Sequence, residues 1–142
     1  MNQSEPRYPS VLLAEDNPEH QLITRSLLEA CGCRVIEAAN GEEAVTLAKL
    51  KRPRMILLDL RMPVVDGLEA ARRIRALPGM SGVPMVAYTA IYSYSLTELA
   101  TAAGFDEYVK KPVTLEMMAQ LLDRYLPNRP AGGYNPQEAG AD

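Results

Sequence analysis

Five polar residues that directly follow or close short apolar runs are the ones whose types could do chemistry. Glu15 and Asp16 come after Val11-Leu12-Leu13-Ala14, and Asp59 closes Met55-Ile56-Leu57-Leu58. Thr89 follows Pro84-Met85-Val86-Ala87-Tyr88, and Lys111 comes just after Glu107-Tyr108-Val109. Taken singly, each has a plain explanation: a helix-start acid, a turn acid, a strand-end hydroxyl, a surface lysine. Brought together, they define one reaction. Three carboxylates a few ångströms apart repel, each close pair costing on the order of 4 kcal/mol at ~4 Å when the effective dielectric is near 20. Lys111 offsets one charge, and the remainder calls for a small hard divalent cation with oxygen ligands, Mg²⁺. A metal beside a strand-end carboxylate points to phosphoryl transfer, with Asp59 as nucleophile. Lys111 and the metal would neutralise charge on the equatorial oxygens, Thr89 would offer a hydroxyl, and Ala90 a backbone N–H. Glu15-Asp16 also argues against a flavin or dinucleotide site, where backbone N–H groups cradle phosphate.

The elements that must position these residues alternate regularly. Val11 to Ala14 reads as a first strand, and Asn17 with Pro18 as the N-cap and first turn of a helix ending near Ala30. Leu22, Ile23, Leu27 and Ala30 form its expected inward stripe. Arg34 to Ala38 is a partly polar strand suited to a sheet edge, and Asn40 with Glu43 opens a second helix that Pro53 closes. Met55 to Leu58, apolar throughout and too short for a helix, reads as a strand buried on both faces. Pro63 and Asp66-Gly67 then stop it and start a third helix, with Leu68, Ala71, Ile74 and Leu77 inward and Arg72, Arg73 and Arg75 in water. Pro84 to Tyr88 is the fourth strand. Ser95-Leu96-Thr97-Glu98 predicts a capping box for a fourth helix ending at Gly104, and Glu107 to Val109 a brief fifth strand. Thr114 caps the last helix, whose core face is Leu115, Met118, Leu122 and Tyr125.

Five strands, each followed by a helix, predict an α/β domain with a doubly wound parallel sheet in the order 2-1-3-4-5. In that order the C-terminal tips of strands one, three, four and five meet in one crevice. The domain spans residues 10–126, after a loose polar lead-in at 1–9 and before a Pro- and Gly-rich stretch at 127–142 expected to be disordered.

A chain of 142 residues is long enough for a single domain with a real core. Its net charge of −3 argues against a general grip on nucleic acid. No run is long enough to span a membrane and the N-terminus lacks a signal-peptide core, so a cytoplasmic location is expected. Cys31 and Cys33, one glycine apart, suit neither a relaxed disulfide nor a zinc site and are expected as small hydrophobes.

With these residues placed, the chain resembles a response-regulator receiver domain of two-component signalling, a stand-alone single-domain type with a flavodoxin-like fold. The resemblance spans roughly residues 10–126. It rests on Glu15-Asp16, Asp59 in Asp59-Leu60-Arg61-Met62-Pro63, Asp66-Gly67, Thr89-Ala90, and Tyr108 ahead of Lys111-Pro112. It implies that Asp59 accepts a phosphoryl group from a histidine kinase or histidine phosphotransfer protein. It implies Mg²⁺ held by Asp16, Asp59 and the backbone carbonyl of Arg61, with Glu15 helping through water. Lys111 would contact the phosphoryl group, and Thr89 and Tyr108 would be the switch pair. The physical rationale is that a phosphoryl group adds nearly two charges and three acceptors. Thr89 would move toward it, and Tyr108 would turn into the vacated space. The other reading of Tyr108 is a half-buried strand aromatic with a wet hydroxyl.

Such a domain is expected not to be an enzyme beyond its own Mg-dependent phosphorylation and dephosphorylation. Output would be docking to a downstream protein, as a monomer or a phosphorylation-dependent homodimer. The alternative is a phosphorelay intermediate or phosphate sink partnered with a hybrid sensor kinase. A haloacid-dehalogenase-type hydrolase also uses a strand-end aspartate but wants an acid two residues later, where Arg61 stands. A phosphorylation-independent interaction module would have no need of the full set of acids, Thr89 and Lys111. Arg61 and Ile91 are expected to shield the acyl phosphate and slow its loss. Tyr92 and Tyr94 read as ordinary exposed loop tyrosines, and His20 as a surface helix residue rather than a ligand or phosphodonor.

Overall fold

The computed structural model describes residues 7–62 and 64–138. The expected breaker Pro63, most of the lead-in and the last four residues of the C-terminal stretch lie outside the described residues. The chain runs β1 (Ser10–Ala14), α1 (Pro18–Ala30), β2 (Arg34–Ala38), α2 (Gly41–Lys51), β3 (Met55–Asp59), α3 (Gly67–Arg75), β4 (Met85–Thr89), α4 (Tyr94–Ala103), β5 (Glu107–Lys110) and α5 (Leu115–Tyr125). All strand pairs are parallel, in the order β2-β1-β3-β4-β5. The fold is the doubly wound one that the alternation predicts, with β2 at an edge.

The period of two along each strand divides the apolar residues between two layers. Leu12, Ala14, Ile56, Leu58, Met85 and Ala87 point to one face, where Ala44, Ala48, Ala71, Ile74, Ala100 and Ala103 of α2, α3 and α4 cover them. Val11, Leu13, Met55, Leu57, Val86 and Tyr88 point to the other, against Leu28 of α1 and Met118, Leu121 and Leu122 of α5. Because β1, β3 and β4 are buried on both faces, their sequences are apolar without alternation.

The helix starts follow local chemistry. Asn17 Oδ1 accepts from Glu19 N and His20 N at 2.9 and 3.1 Å, and Pro18 needs no partner for its nitrogen. Asp66 accepts from Glu69 N at 2.9 Å. Gly67 is there because a side chain would not fit: a Cβ would stand 2.4 Å from the carbonyl oxygen of Asp59. α3 thus begins flush against the tip of β3.

Several expectations are corrected. Leu22 and Ile23 are 55% and 57% exposed, and Ala30 is exposed too. α1 is rotated so that Thr24 and Leu28 are buried instead, with Thr24 lining the same cavity as Tyr88. α4 starts earlier than Ser95, with Ser93 accepting from Leu96 N at 3.0 Å. Leu115, at the first turn of α5, is exposed, and Leu121 fills the core in its place. Arg75 does not face water. It donates to the carbonyls of Gly104, Met80 and Val83 and pairs with Asp106 at 3.0 Å, tying α3 to the β4 and β5 entries.

Residues 127–138, expected as part of a disordered tail, lie against the α1–β2 turn. Arg129 Nε donates to Cys31 O and Tyr134 N to Glu29 O, both at 2.7 Å, while the rings of Tyr8 and Tyr134 meet edge to face. Gly32, at φ 88°, leaves room for this, since a Cβ there would be 2.7 Å from Pro130 O. Among the described residues no helix is long and apolar enough to cross a membrane.

Candidate functional site

Parallel pairing brings the C-terminal strand tips level. Asp59 stands opposite Tyr88 in the β3–β4 register, Thr89 opposite Lys110, and Lys111 N donates to Thr89 O at 2.8 Å. Glu15 N, just past β1, is held by Ala38 O at 3.0 Å. Side chains separated by as many as 96 positions therefore converge. Lys111 Nζ is 2.8 Å from Asp59 Oδ2 and 2.5 Å from Glu15 Oε1. Glu15, Asp16 and Asp59 each offer a carboxylate oxygen, all within 4.8 Å of one another.

The members differ in burial, and so in chemistry. Glu15 and Asp59 are 1% and 5% exposed, whereas Asp16 is open to solvent. Burial pushes the Glu15 carboxyl up, but Lys111, the Asn17 N–H at 3.0 Å and the Tyr88 hydroxyl at 2.9 Å outweigh it, leaving its pKa below the usual range. Asp59 has fewer compensations. Burial raises its pKa, and the Arg61 N–H at 3.0 Å and Lys111 only partly offset this, with the Glu15 charge adding to the rise. Burial would lower Lys111, yet hydrogen bonds to Asp59 and Glu15 dominate and hold it up. Glu15 is thus the settled anion of the pocket, and Asp59 the one with charge least accommodated.

Thr89 is 1% exposed, and its Oγ1 has no hydrogen-bond partner among the described residues. Ala90 beside it is exposed and lines a cavity of about 350 Å³ together with His20, Ile23, Tyr88 and Lys111. A second, open cleft is lined by Asp16, Leu60, Arg61, Met62 and Asp66. Tyr108 lies beside the cluster: its hydroxyl donates to the carbonyl of Ile91, and its ring meets Tyr92 edge to face at 5.7 Å. Ile91, Tyr92 and Tyr94 are all exposed.

One residue at the site, Tyr88, is not singled out by the sequence, and one contact, that of His20 with Lys111, is not foreseen. Tyr88 is fully buried beneath the site, its hydroxyl on Glu15 and its ring centroid 4.7 Å from Lys111 Nζ. A phenol in an otherwise apolar strand was the available signal, because a buried hydroxyl needs a partner. His20 Nδ1 lies 3.2 Å from Lys111 Nζ, so the ring leans over the site from α1.

Comparison with known proteins agrees with this geometry. The family profile of the response regulator receiver domain matches residues 11–123. The polar-differentiation response regulator DivK of Brucella anthropi is 32% identical over 117 residues, covering 82% of this chain and 95% of that protein. Among solved structures, the receiver domain of a sensor histidine kinase from Pseudomonas aeruginosa PAO1, with a magnesium ion coordinated in its active-site cleft, superposes with a TM-score of 0.79. It is 36% identical, over 84% of this chain and 98% of that one. The chemotaxis protein CheY4 of Vibrio cholerae gives a TM-score of 0.80 at 27% identity, over 84% and 99%. The chain belongs to the response-regulator receiver domain family of two-component signalling.

Proposed function

We propose that this receiver is a phosphorylation-dependent switch in which Asp59 takes a phosphoryl group from the phosphohistidine of a histidine kinase or histidine phosphotransfer protein. An Asp59 carboxylate oxygen forms the new bond to phosphorus as the imidazole N–P bond breaks, and the departing imidazole takes up a proton. The observation that carries this reading is the meeting of Asp59, Glu15 and Asp16 with a single ammonium, Lys111.

The donor set suits Mg²⁺: hard oxygens, three carboxylates, and one cation too few to balance them. Asp16, Asp59 and the Arg61 backbone carbonyl would hold the ion, with Glu15 acting through water. When bound it supplies charge neutralisation for the transferring group. The chain's own residues do the rest. Lys111 meets a phosphoryl oxygen, Ala90 offers its N–H, and Thr89, whose hydroxyl is uncommitted, turns toward the new charge. Tyr108 then leaves Ile91 for the space Thr89 vacates, changing the surface of α4, β5 and α5, where Tyr92, Tyr94 and Leu99 are exposed. Output is docking to a protein partner, and turnover is confined to gain and loss of the chain's own phosphoryl group.

A relay role, with the group passed onward or drained, is the second reading. It is favoured by the 36% identity to a receiver domain carried by a sensor histidine kinase. Incubation with Mg²⁺ and acetyl phosphate, read by intact mass, tests the proposal. One added phosphoryl group is expected, lost in Asp59→Asn and with chelator; no addition, or addition that survives Asp59→Asn, contradicts it.

A further inference from the structure

We infer that His20 is a positioning residue for Lys111. An ammonium has three N–H donors and no acceptor. Three acceptors surround Lys111 Nζ: Glu15 Oε1 at 2.5 Å, Asp59 Oδ2 at 2.8 Å and His20 Nδ1 at 3.2 Å. The face of Tyr88 closes the side below, its centroid 4.7 Å away. Every donor is thereby committed. The lysine side chain is 12% exposed, although it reaches the site from a loop on a flexible four-carbon stem.

The contributions come from different elements, which is what makes the third contact matter. Glu15 and Asp59 belong to the sheet tips and pull the ammonium down into the anionic pocket. His20 belongs to α1, where its backbone N–H donates to Asn17 Oδ1 of the cap at 3.1 Å, and its ring holds the ammonium from the side. His20 Nδ1 is 3.8 Å from Glu15 Oε1, beyond hydrogen-bond range, so both atoms act on the same ammonium rather than on each other. When a phosphoryl group arrives on Asp59, the Asp59 contact is the one that must be exchanged for a phosphoryl oxygen. Glu15 and His20 then keep Nζ in place while that exchange occurs. This role rests on the phosphoacceptor reading of Asp59; the hydrogen bond itself does not.

The geometry fixes a tautomer. Nδ1 can accept from an ammonium only if it carries no proton, so the neutral ring must bear its proton on Nε2. The chain has one histidine, so ¹⁵N-histidine labelling reports on His20 alone. At a pH where the ring is neutral, ¹⁵N spectra should show Nδ1 unprotonated, and its shift should move in Lys111→Ala. A predominant Nδ1–H tautomer, or a shift indifferent to Lys111→Ala, overturns the inference.

Kinetics supply the second arm, with Mg²⁺ and acetyl phosphate. His20→Leu should lower the phosphorylation rate at saturating donor about five- to tenfold, since a small displacement of a reacting group is costly. The half-saturating donor concentration should stay unchanged. His20→Gln, whose amide oxygen can accept from Lys111, should restore the rate to within about twofold of wild type. A wild-type rate in His20→Leu, or no rescue by Gln, contradicts the role. If the wild-type protein takes up no phosphoryl group at all, the phosphoacceptor reading fails, and the ¹⁵N arm still decides the contact.

Discussion

Tyr88 donates its hydroxyl to Glu15 at 2.9 Å, both residues 1% exposed, beneath the carboxylates that line the cleft. The site is therefore built on a buried acid that the core itself supports. Removing that support without changing shape should be measurable. Tyr88→Phe leaves a buried carboxylate short of one donor, and a loss of about 1–2 kcal/mol in urea denaturation at neutral pH is expected. The pH sign follows. The Glu15 pKa is depressed, so its stabilisation is present above the unfolded carboxyl range and lost as pH falls through the folded value. Tyr88 is one cause of the depression, so the phenylalanine variant should lose stability at a higher pH on acidification. An unchanged acid limb would show that Lys111 and Asn17 alone set Glu15.

Asp59 behaves oppositely. Burial raises its pKa, so its contribution to stability is favourable below the unfolded carboxyl range and is lost as pH rises through the folded value. Without divalent metal at pH 7, Asp59→Asn should raise Tm by a few degrees, and Glu15→Gln should lower it. Millimolar Mg²⁺ should stabilise the wild-type protein and leave Asp59→Asn nearly unaffected, because binding to the native state alone adds to stability. Thermal melts with and without chelator read both. An Asp59→Asn protein that melts lower and still responds to Mg²⁺ would place the ion elsewhere.

The hydroxyl of Thr89 is buried without a partner among the described residues, and that of Tyr108 is committed to Ile91. Thr89→Ala should accordingly cost little in the unphosphorylated protein, within about 1 kcal/mol. Its effect should emerge on phosphorylation. NMR resonances of Tyr108 should shift on phosphorylation of the wild-type protein and remain near their starting positions in Thr89→Ala. Equal shifts in the two proteins would uncouple the pair.

Arg61 lines the open cleft from the β3–α3 loop and Ile91 stands in the β4–α4 loop two residues past Thr89, both exposed. One is a long cation and the other an apolar side chain, and neither carries a carboxylate or amide oxygen that could orient an attacking water. Ile91→Glu and Arg61→Asn should each shorten the lifetime of the phosphorylated protein severalfold, as measured by loss of the added mass after donor removal. Unchanged lifetimes in both would mean that neither residue shields the acyl phosphate.

Much of this arrangement is legible in the sequence because it depends on chain order. Three apolar strands, each followed by a capped helix, dictate the sheet, and Asp59 and Thr89 each close a strand while Lys111 follows one. What remained hidden depends on rotation and on partners distant in sequence. Whether Leu22 or Thr24 faces the sheet turns on the roll of α1, and it is Thr24 that goes inward, lining the same cavity as Tyr88. The same roll brings His20 over Lys111. Arg75 reads as one more basic surface residue until the carbonyls of Gly104 and Val83 surround it. Ser93 and Ser95 are equally good caps by composition, and only the extended backbone at Ser93 chooses between them. Residues 127–138 lack an apolar pattern and are held instead through backbone hydrogen bonds and one arginine.

Locating the phosphoryl group tests the central claim most directly. After incubation with Mg²⁺ and acetyl phosphate, borohydride reduction turns an aspartyl phosphate into homoserine, and peptide mass spectrometry finds the position. Homoserine at position 59 and nowhere else is the predicted result. Homoserine at Asp16, or a phosphoryl group retained on His20, would contradict it.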